Sequence, residues 1–193
     1  VDMPMTALVR NLGNLSKCGL LAPMSEAEQM VVAHLTNSER LRKSRLHPLA
    51  ILIALTVYSQ GSGVRGSGEW IVSAKVVDAL DAAFYAAFKN VEPTSRRHLL
   101  ALDVSGSMSE PEIAGMPISP RVAAAAMALV AVRTEPQTHT MCFGTDFREF
   151  LISVSSSLES VTKRMADQPF ERTNCALPML YALSIFDLVV QCW

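Results

Sequence analysis

The sequence predicts two regions of different class: a helical segment over residues 1–92, then an α/β sheet domain over 98–186, closed by a divergent tail at 187–193. Three observations carry that division. From Met5 to Phe88 the apolar residues recur at spacings of three and four, the period of helices with one buried face. After Pro93 the period changes to an unbroken apolar run, Leu99-Leu100-Ala101-Leu102, of the kind a sheet buries on both faces. Strand, helix, strand, strand and helix signals follow in that order, the pattern of a mixed α/β sheet. Half of the 193 residues are hydrophobic and 18% are charged, which supports a substantial core and argues against disorder.

In the helical segment, Pro4 opens a pattern of Met5, Leu8, Val9 and Leu12, with Gly13 or Gly19 as its end. Ser25-Glu26-Ala27-Glu28 is a capping box, in which a serine hydroxyl and a glutamate satisfy opposite orphan amides of a helix reaching about Thr36. Its expected buried face is Met30, Val31, Ala33, His34 and Leu35. Asn37 or Ser38 can cap a short helix over Glu39 to Arg45, and Pro48 suits the first position of a helix to Ser59. Gly61 to Gly68 carries four glycines; without a preceding strand or a following Gly-Lys-Ser/Thr it reads as an interhelix loop rather than a phosphate cradle. A fifth helix, Ser73 to about Asn90, buries Val76, Val77, Leu80, Ala83, Phe84 and Phe88. His34 and His47 lack a partner at metal-ligand spacing and read as core-edge or surface residues.

In the second region Leu99 to Leu102 is the first strand, ending in Asp103-Val104-Ser105-Gly106-Ser107. One carboxylate and two hydroxyls at spacing two, in a turn eased by Gly106, can converge on one hard cation, which takes oxygen ligands. The same residue types also make an ordinary turn after a strand. A loop from Ser109 to Ser119 leads to an alanine-rich helix, Val122 to Val132. Strands are expected at Thr138 to Phe143 and Phe147 to Ile152, and helices opened by Ser156-Ser157-Leu158-Glu159 and reaching about Ala166, and from Ala176 to Phe186, with Arg172 to Cys175 a polar loop between them.

Net charge is −1 but divides unevenly: residues 1–97 hold 11 Lys+Arg against 8 Asp+Glu, and residues 98–193 hold 6 against 10. The basic excess is concentrated in Arg40, Arg42, Lys43 and Arg45, which suits either phosphate contact or a solvated helix face. The four cysteines include no CxxC pair, as in a cytosolic or nuclear protein with reduced thiols. No apolar window has the length of a membrane span, and Val1 to Arg10 does not have the form of a secretory leader. Catalysis is not expected, because the serines lack a His and Asp in triad order and His98 precedes the strand that ends in Asp103.

Leu102-Asp103-Val104-Ser105-Gly106-Ser107-Met108, with Thr173 in a loop before a helix, resembles the metal-ion-dependent adhesion site (MIDAS) of a von Willebrand factor A domain. Met5-Thr6-Ala7-Leu8-Val9-Arg10-Asn11-Leu12-Gly13, His47-Pro48 before Ile51 to Leu55, and Leu80-Asp81-Ala82-Ala83-Phe84-Tyr85 resemble the TROVE family of RNA-binding proteins, the Ro-type ribonucleoproteins. Val122 to Met127 and Cys175 to Met179 extend the likeness, from about Met3 to Leu183. It implies HEAT-like helical repeats followed by a Rossmann-type A domain, truncated here, in a non-enzymatic cytoplasmic protein that binds Y RNAs and misfolded small RNAs and is monomeric at full length. It also implies a divalent cation, Mg²⁺ being favoured, at Asp103, Ser105, Ser107 and Thr173, with open positions for a partner's carboxylate. A metal-dependent protein-interaction module without RNA is the alternative.

The chain departs from the family pattern by starting at the last helices of the repeats, which the resemblance implies form a ring, by carrying Asn174 where an aspartate is usual, and by ending in Asp187 to Trp193, unlike the family's continuation. A C-terminal fragment or shortened product is therefore expected, without the later strand that brings a further aspartate. Its Leu99 to Leu102 and Thr138 to Phe143 strands should then be exposed edges, which Leu188-Val189-Val190 is too short to cover.

Overall fold

The computed structural model describes residues 3–63, 68–113, 115–169, 172–184 and 189–192, the last four by backbone alone. The chain divides into two compact units, Val1–Val91 and Glu92–Trp193.

The first unit holds helices α1 (Met5–Lys17), α2 (Glu26–Leu35), α3 (Ser38–Ser44), α4 (Pro48–Ser59) and α5 (Ala74–Ala86), the last prolonged by a 3₁₀ turn over Ala87–Asn90. Four of the five begin on a side chain that accepts a first-turn amide hydrogen: Ser25 from Glu28, Asn37 from Arg40, His47 from Leu49 and Ser73 from Val76. α1 runs through Gly13 and stops short of Gly19, whose φ of +72° is the left-handed conformation that ends helices. Leu12, Leu35, Ile51, Leu80 and Phe84 form the centre of the core. The Gly61 loop folds back on itself through a bridge between Ser62 and Glu69, and its middle, 64–67, lies outside the described residues.

The buried face of α2 differs from expectation. Helical geometry puts residues 28, 31 and 35 on one side, so Glu28, Val31 and Leu35 are buried while Met30 is 57% exposed, Ala33 is exposed and His34 is half-buried. Glu28 is only 2% exposed. A carboxylate survives there because its oxygens are hydrogen-bonded: Oε1 accepts from the Ser73 hydroxyl at 2.6 Å and Oε2 from the Met24 amide at 2.8 Å, with Lys75 Nζ at 3.9 Å. The capping glutamate therefore reaches back to Met24 and not to Ser25, whose amide is taken by the Ala22 carbonyl. Ser73 also donates its own amide to Tyr58 Oη at 3.1 Å, and that hydroxyl shares a 2.9 Å hydrogen bond with Ser16. One polar chain thus joins α1, α4, the start of α5 and α2.

Trp70 closes the other side of this junction. Its indole lies flat enough on Gly13 that a Cβ there would come within 2.8 Å of the ring, and its Nε1–H donates to the Tyr58 carbonyl at 3.0 Å.

The second unit holds strands β1 (Arg97–Asp103), β2 (Gln137–Phe143), β3 (Phe147–Glu149) and β4 (Val189–Cys192), with helices α6 (Pro120–Thr134), α7 (Leu158–Ala166) and α8 (Ala176–Ser184). The sheet order is β3-β2-β1-β4; β1 is parallel to β2 and β4, and β3 is antiparallel to β2. The expectation of exposed edges at the first two strands fails: β1 is paired on both sides and Leu99 to Leu102 are fully buried. The tail supplies the missing partner, because parallel pairing asks only for an extended backbone, and Val189 to Cys192 meet His98 to Ala101 in register. The third strand is shorter than expected, ending at Glu149, after which the Phe150 amide and carbonyl both bond to Thr140. Among the described residues no helix is long and apolar enough to cross a membrane.

At the entry to β1, the Glu135 carboxylate accepts the amides of Thr94 at 2.8 Å and Ser95 at 3.0 Å and lies 3.4 Å from His98 Nε2. Burial would push its pKa up, but the Thr94 hydrogen bonds, His98 and the Ser95 amide together hold it below the ordinary 4.5. Glu28 is also held low, by the Ser73 hydroxyl first and the Met24 amide next, against the opposing effect of burial.

Both carboxylates have depressed folded values, so the stability they contribute is complete above the ordinary 4.5 and is lost as pH falls through those values. The melting temperature should therefore drop as pH is lowered below about 4.5, and less steeply in Glu28→Gln; identical slopes would show that Glu28 is not part of the acid response. A second outcome follows from Trp70. Gly→Ala in a helix normally gains about 1 kcal/mol, whereas overpacking costs roughly 1–3 kcal/mol, so Gly13→Ala should lose roughly 1 kcal/mol net by urea unfolding. The sign should reverse in a Trp70→Leu background, and no reversal would mean the indole is not the obstacle.

Candidate functional site

β1 delivers the motif. Its ladder to β2 holds as far as Asp103 opposite Phe143, and the Val104 amide adds one more bond to the Phe143 carbonyl at 3.2 Å, so the chain is still held in line where the turn begins. The turn then closes on itself. Asp103 Oδ1 accepts the Ser105 amide at 2.7 Å, and the Ser105 and Ser107 hydroxyls lie 3.2 Å apart, at the start of a 3₁₀ turn over Gly106–Ser109. Ser105 is 3% exposed, Asp103 half-buried and Ser107 exposed, so the three oxygens grade from core to solvent.

Thr173 reaches the same end of the sheet by another route. Its neighbour Asn174 donates its amide to the Gly144 carbonyl at 2.9 Å, and Gly144 directly follows the residue paired with Asp103. The Asn174 side chain accepts the Ala176 amide at 3.1 Å and so starts α8. An asparagine here satisfies the first amide of the helix, a role that its own residue type just ahead of an apolar helical run could have signalled in the sequence. Thr173 itself is exposed.

β1 lies between β2 and β4, and the connections to those two strands leave in opposite directions, so Asp103 stands at the carboxyl end of the strand where the winding changes sense. In open α/β sheets that position forms a crevice. The donor set is one carboxylate and three hydroxyls; among the described residues no three His, Cys, Asp or Glu side chains cluster to hold a metal, and burial pushes the Cys142 thiol up. All four donors are hard oxygens, which fits a hard divalent cation and not a thiophilic one.

The basic run is divided by α3. Arg40 and Lys43, three residues apart and so on one face, line an open cavity of about 460 Å³ together with His34 and the start of α1 from Met3 to Thr6. Arg40 Nη1 lies 3.1 Å from His34 Nε2, and Lys43 pairs with Glu39 at 2.8 Å. Arg42 and Arg45 do not line it; Arg45 closes α3 in the left-handed conformation with φ at 51°. The convergence of His34 with Arg40 and Lys43 was hidden in the sequence, although the spacing of the two cations was its one visible trace.

Residues 97–189 match the model of the Ro60 vWA domain, and residues 1–57 match that of the TROVE domain. The chain is 49% identical over 180 residues to the RNA-binding protein RO60 of Deinococcus radiodurans, covering 92% of this chain and 34% of that protein. It is 40% identical over 182 residues to the RNA-binding protein RO60 of Caenorhabditis elegans, covering 94% of this chain and 28% of that one. The crystal structure of the Deinococcus radiodurans RO (RSR) protein superposes with a TM-score of 0.88 at 44% identity, over 99% of this chain and 40% of that one. The chain thus spans about a third of the length of the curated relatives it matches. With a helical unit of one kind, a sheet unit of the other, and these relatives running through both, the chain belongs to the family that joins a TROVE domain to a Ro60-type vWA domain.

Proposed function

We propose that the chain is the C-terminal part of an RNA-binding component of a Ro-type ribonucleoprotein, with a divalent-cation site in its A-type unit. The observation that supports RNA binding most directly is that relatives 40–49% identical across both units are named RNA-binding proteins. The exposed cations of α3 supply the chemistry: Arg40, Arg42, Lys43 and Arg45 offer charge to phosphates without an aromatic platform on the same helix to stack bases. Small noncoding RNAs of the Y class and misfolded RNAs are the ligands proposed, the site of action is the cytoplasm, and the role is binding, not catalysis.

The cation would be held by Asp103, Ser105, Ser107 and Thr173. Few protein ligands and several waters suit Mg²⁺, and a bound ion would supply an electrophilic position open to a carboxylate from a partner protein. This chain's own residues do the positioning: the Asp103–Ser105 bond fixes the turn, and the Asn174–Gly144 bond brings the Thr173 loop to the same edge. The second reading, a metal-dependent protein-interaction module without RNA, is favoured by the acidic balance of residues 98–193.

Calorimetric titration with Mg²⁺ or Mn²⁺ should show weak binding, since a single carboxylate tunes affinity low. Ser105→Ala with Ser107→Ala should abolish it and Cys175→Ser should leave it intact; full retention in the double variant, with an unchanged circular dichroism spectrum, removes the site. For RNA, affinity should fall steeply with salt, and replacing all four α3 cations by Ala should flatten the log–log slope by up to about 3, at roughly 0.7 per phosphate contact on single strands. Tight, salt-insensitive binding by the parent chain would refute the electrostatic reading, and no binding at all would favour the interaction module.

A further inference from the structure

We propose that the cavity between the start of α1, the end of α2 and one face of α3 is a pocket for a single phosphate group of RNA, held by Arg40 and Lys43 with His34 as the residue that positions the arginine. The inference rests on the RNA reading above and refines it: of the four cations of α3, two serve a formed pocket and two do not.

The geometry distinguishes the pairs. Arg40 and Lys43 line a concave space of about 460 Å³, in the range of pockets that take small ligands and large enough for a phosphate together with its sugar. Arg42 and Arg45 are absent from that lining. His34 Nε2 lies 3.1 Å from the Arg40 guanidinium, which can only donate, so the imidazole accepts there and is neutral at that nitrogen. A guanidinium is a planar fork of N–H donors, and the imidazole contact helps to set its plane; a planar fork is the shape that meets phosphate oxygens in pairs.

Lys43 is held at 2.8 Å by Glu39, but both side chains are about 70% exposed, and an ion pair in that setting contributes little, so a phosphate can displace it readily. The remaining walls suit the rest of a nucleotide. Met3 and Pro4 are apolar, and among the described residues that line the cavity none is a carboxylate. Thr6, at the start of α1, stands where that helix has no side-chain cap.

Two measurements on the 193-residue chain separate this pocket from the broader reading. The first titrates inorganic phosphate and follows backbone amide and His34 ring resonances by NMR. Shifts should concentrate at Thr6, His34 and Ser44 and disappear in Arg40→Gln with Lys43→Gln. The second measures a labelled 12-nucleotide oligouridylate by fluorescence anisotropy across salt concentrations.

Arg40→Gln with Lys43→Gln should weaken RNA binding about 10-fold and lower the salt slope by about 1.4, as for two lost contacts. Arg42→Gln with Arg45→Gln removes the same charge and should weaken it less than 3-fold. Equal losses in the two double variants would overturn the pocket while leaving RNA binding in place, because the charge would then act diffusely. Phosphate shifts without any RNA binding by the parent chain would overturn the RNA reading and leave an anion pocket. Shifts scattered over the α3 surface, unchanged in the first double variant, would overturn the pocket by themselves.

Discussion

The helical unit depends on one buried carboxylate. Glu28 could be replaced in most helices by leucine with a gain in apolar burial, yet here it is the acceptor to which the Ser73 hydroxyl and the Met24 amide are tied, and Ser73 in turn caps α5 and meets Tyr58. Take away the carboxylate and the buried Ser73 hydroxyl loses its acceptor, which is dearer than the loss of the hydrogen bond alone. Through Tyr58 the same chain of contacts reaches Ser16 of α1 and, by the Tyr58 carbonyl, the Trp70 indole. The positions of α1 and α2 relative to each other are thereby set, and those two helices, with α3, form the walls of the basic cavity.

The sheet unit has a comparable dependence on β1. Its seven residues are clamped at the entrance by Glu135 and His98 and bonded along their length on the β2 side, so Asp103 arrives at the far end with little freedom. Ser105 and Ser107 then need only the short turn of Gly106 to bring their hydroxyls within 3.2 Å of each other. For the proposed cation site such rigid delivery would matter, because hydroxyls are weak ligands that must be placed beforehand instead of gathered by an ion.

Much of this was legible before the structure. Pro48 at the first position of α4, Ser25 ahead of α2 and the change of period at Pro93 each rest on local backbone chemistry, and the structure shows Pro48 opening α4 and Ser25 capping α2 at those residues. The Asp103–Ser105–Ser107 turn was equally readable, since its geometry is a matter of five consecutive residues. Contacts across long separations were not. The periodicity of α2 placed Met30 and Ala33 inside because apolar residues were assumed to take the buried face, and nothing near Glu28 in sequence announces Ser73, 45 residues away. The fourth strand was missed for the same reason: Val189-Val190 is too short a signal to stand alone, and only the backbone of β1 gives it somewhere to pair.

That fourth strand has a consequence for the order in which the unit can be completed. His98 pairs with Val189, so the second edge of β1 closes only after 91 further residues have been made, whereas the helical unit is joined by contacts of shorter range. On a ribosome adding about 5–20 residues per second, the most thoroughly buried segment of the unit would stay one-sided for roughly 5–18 s after it emerges. A nascent chain therefore passes through a stage in which Leu99 to Leu102 have β2 but not β4 beside them. Vulnerability to mispairing is concentrated in that interval of synthesis, and for β1 it ends when Val189 to Cys192 pair beside it.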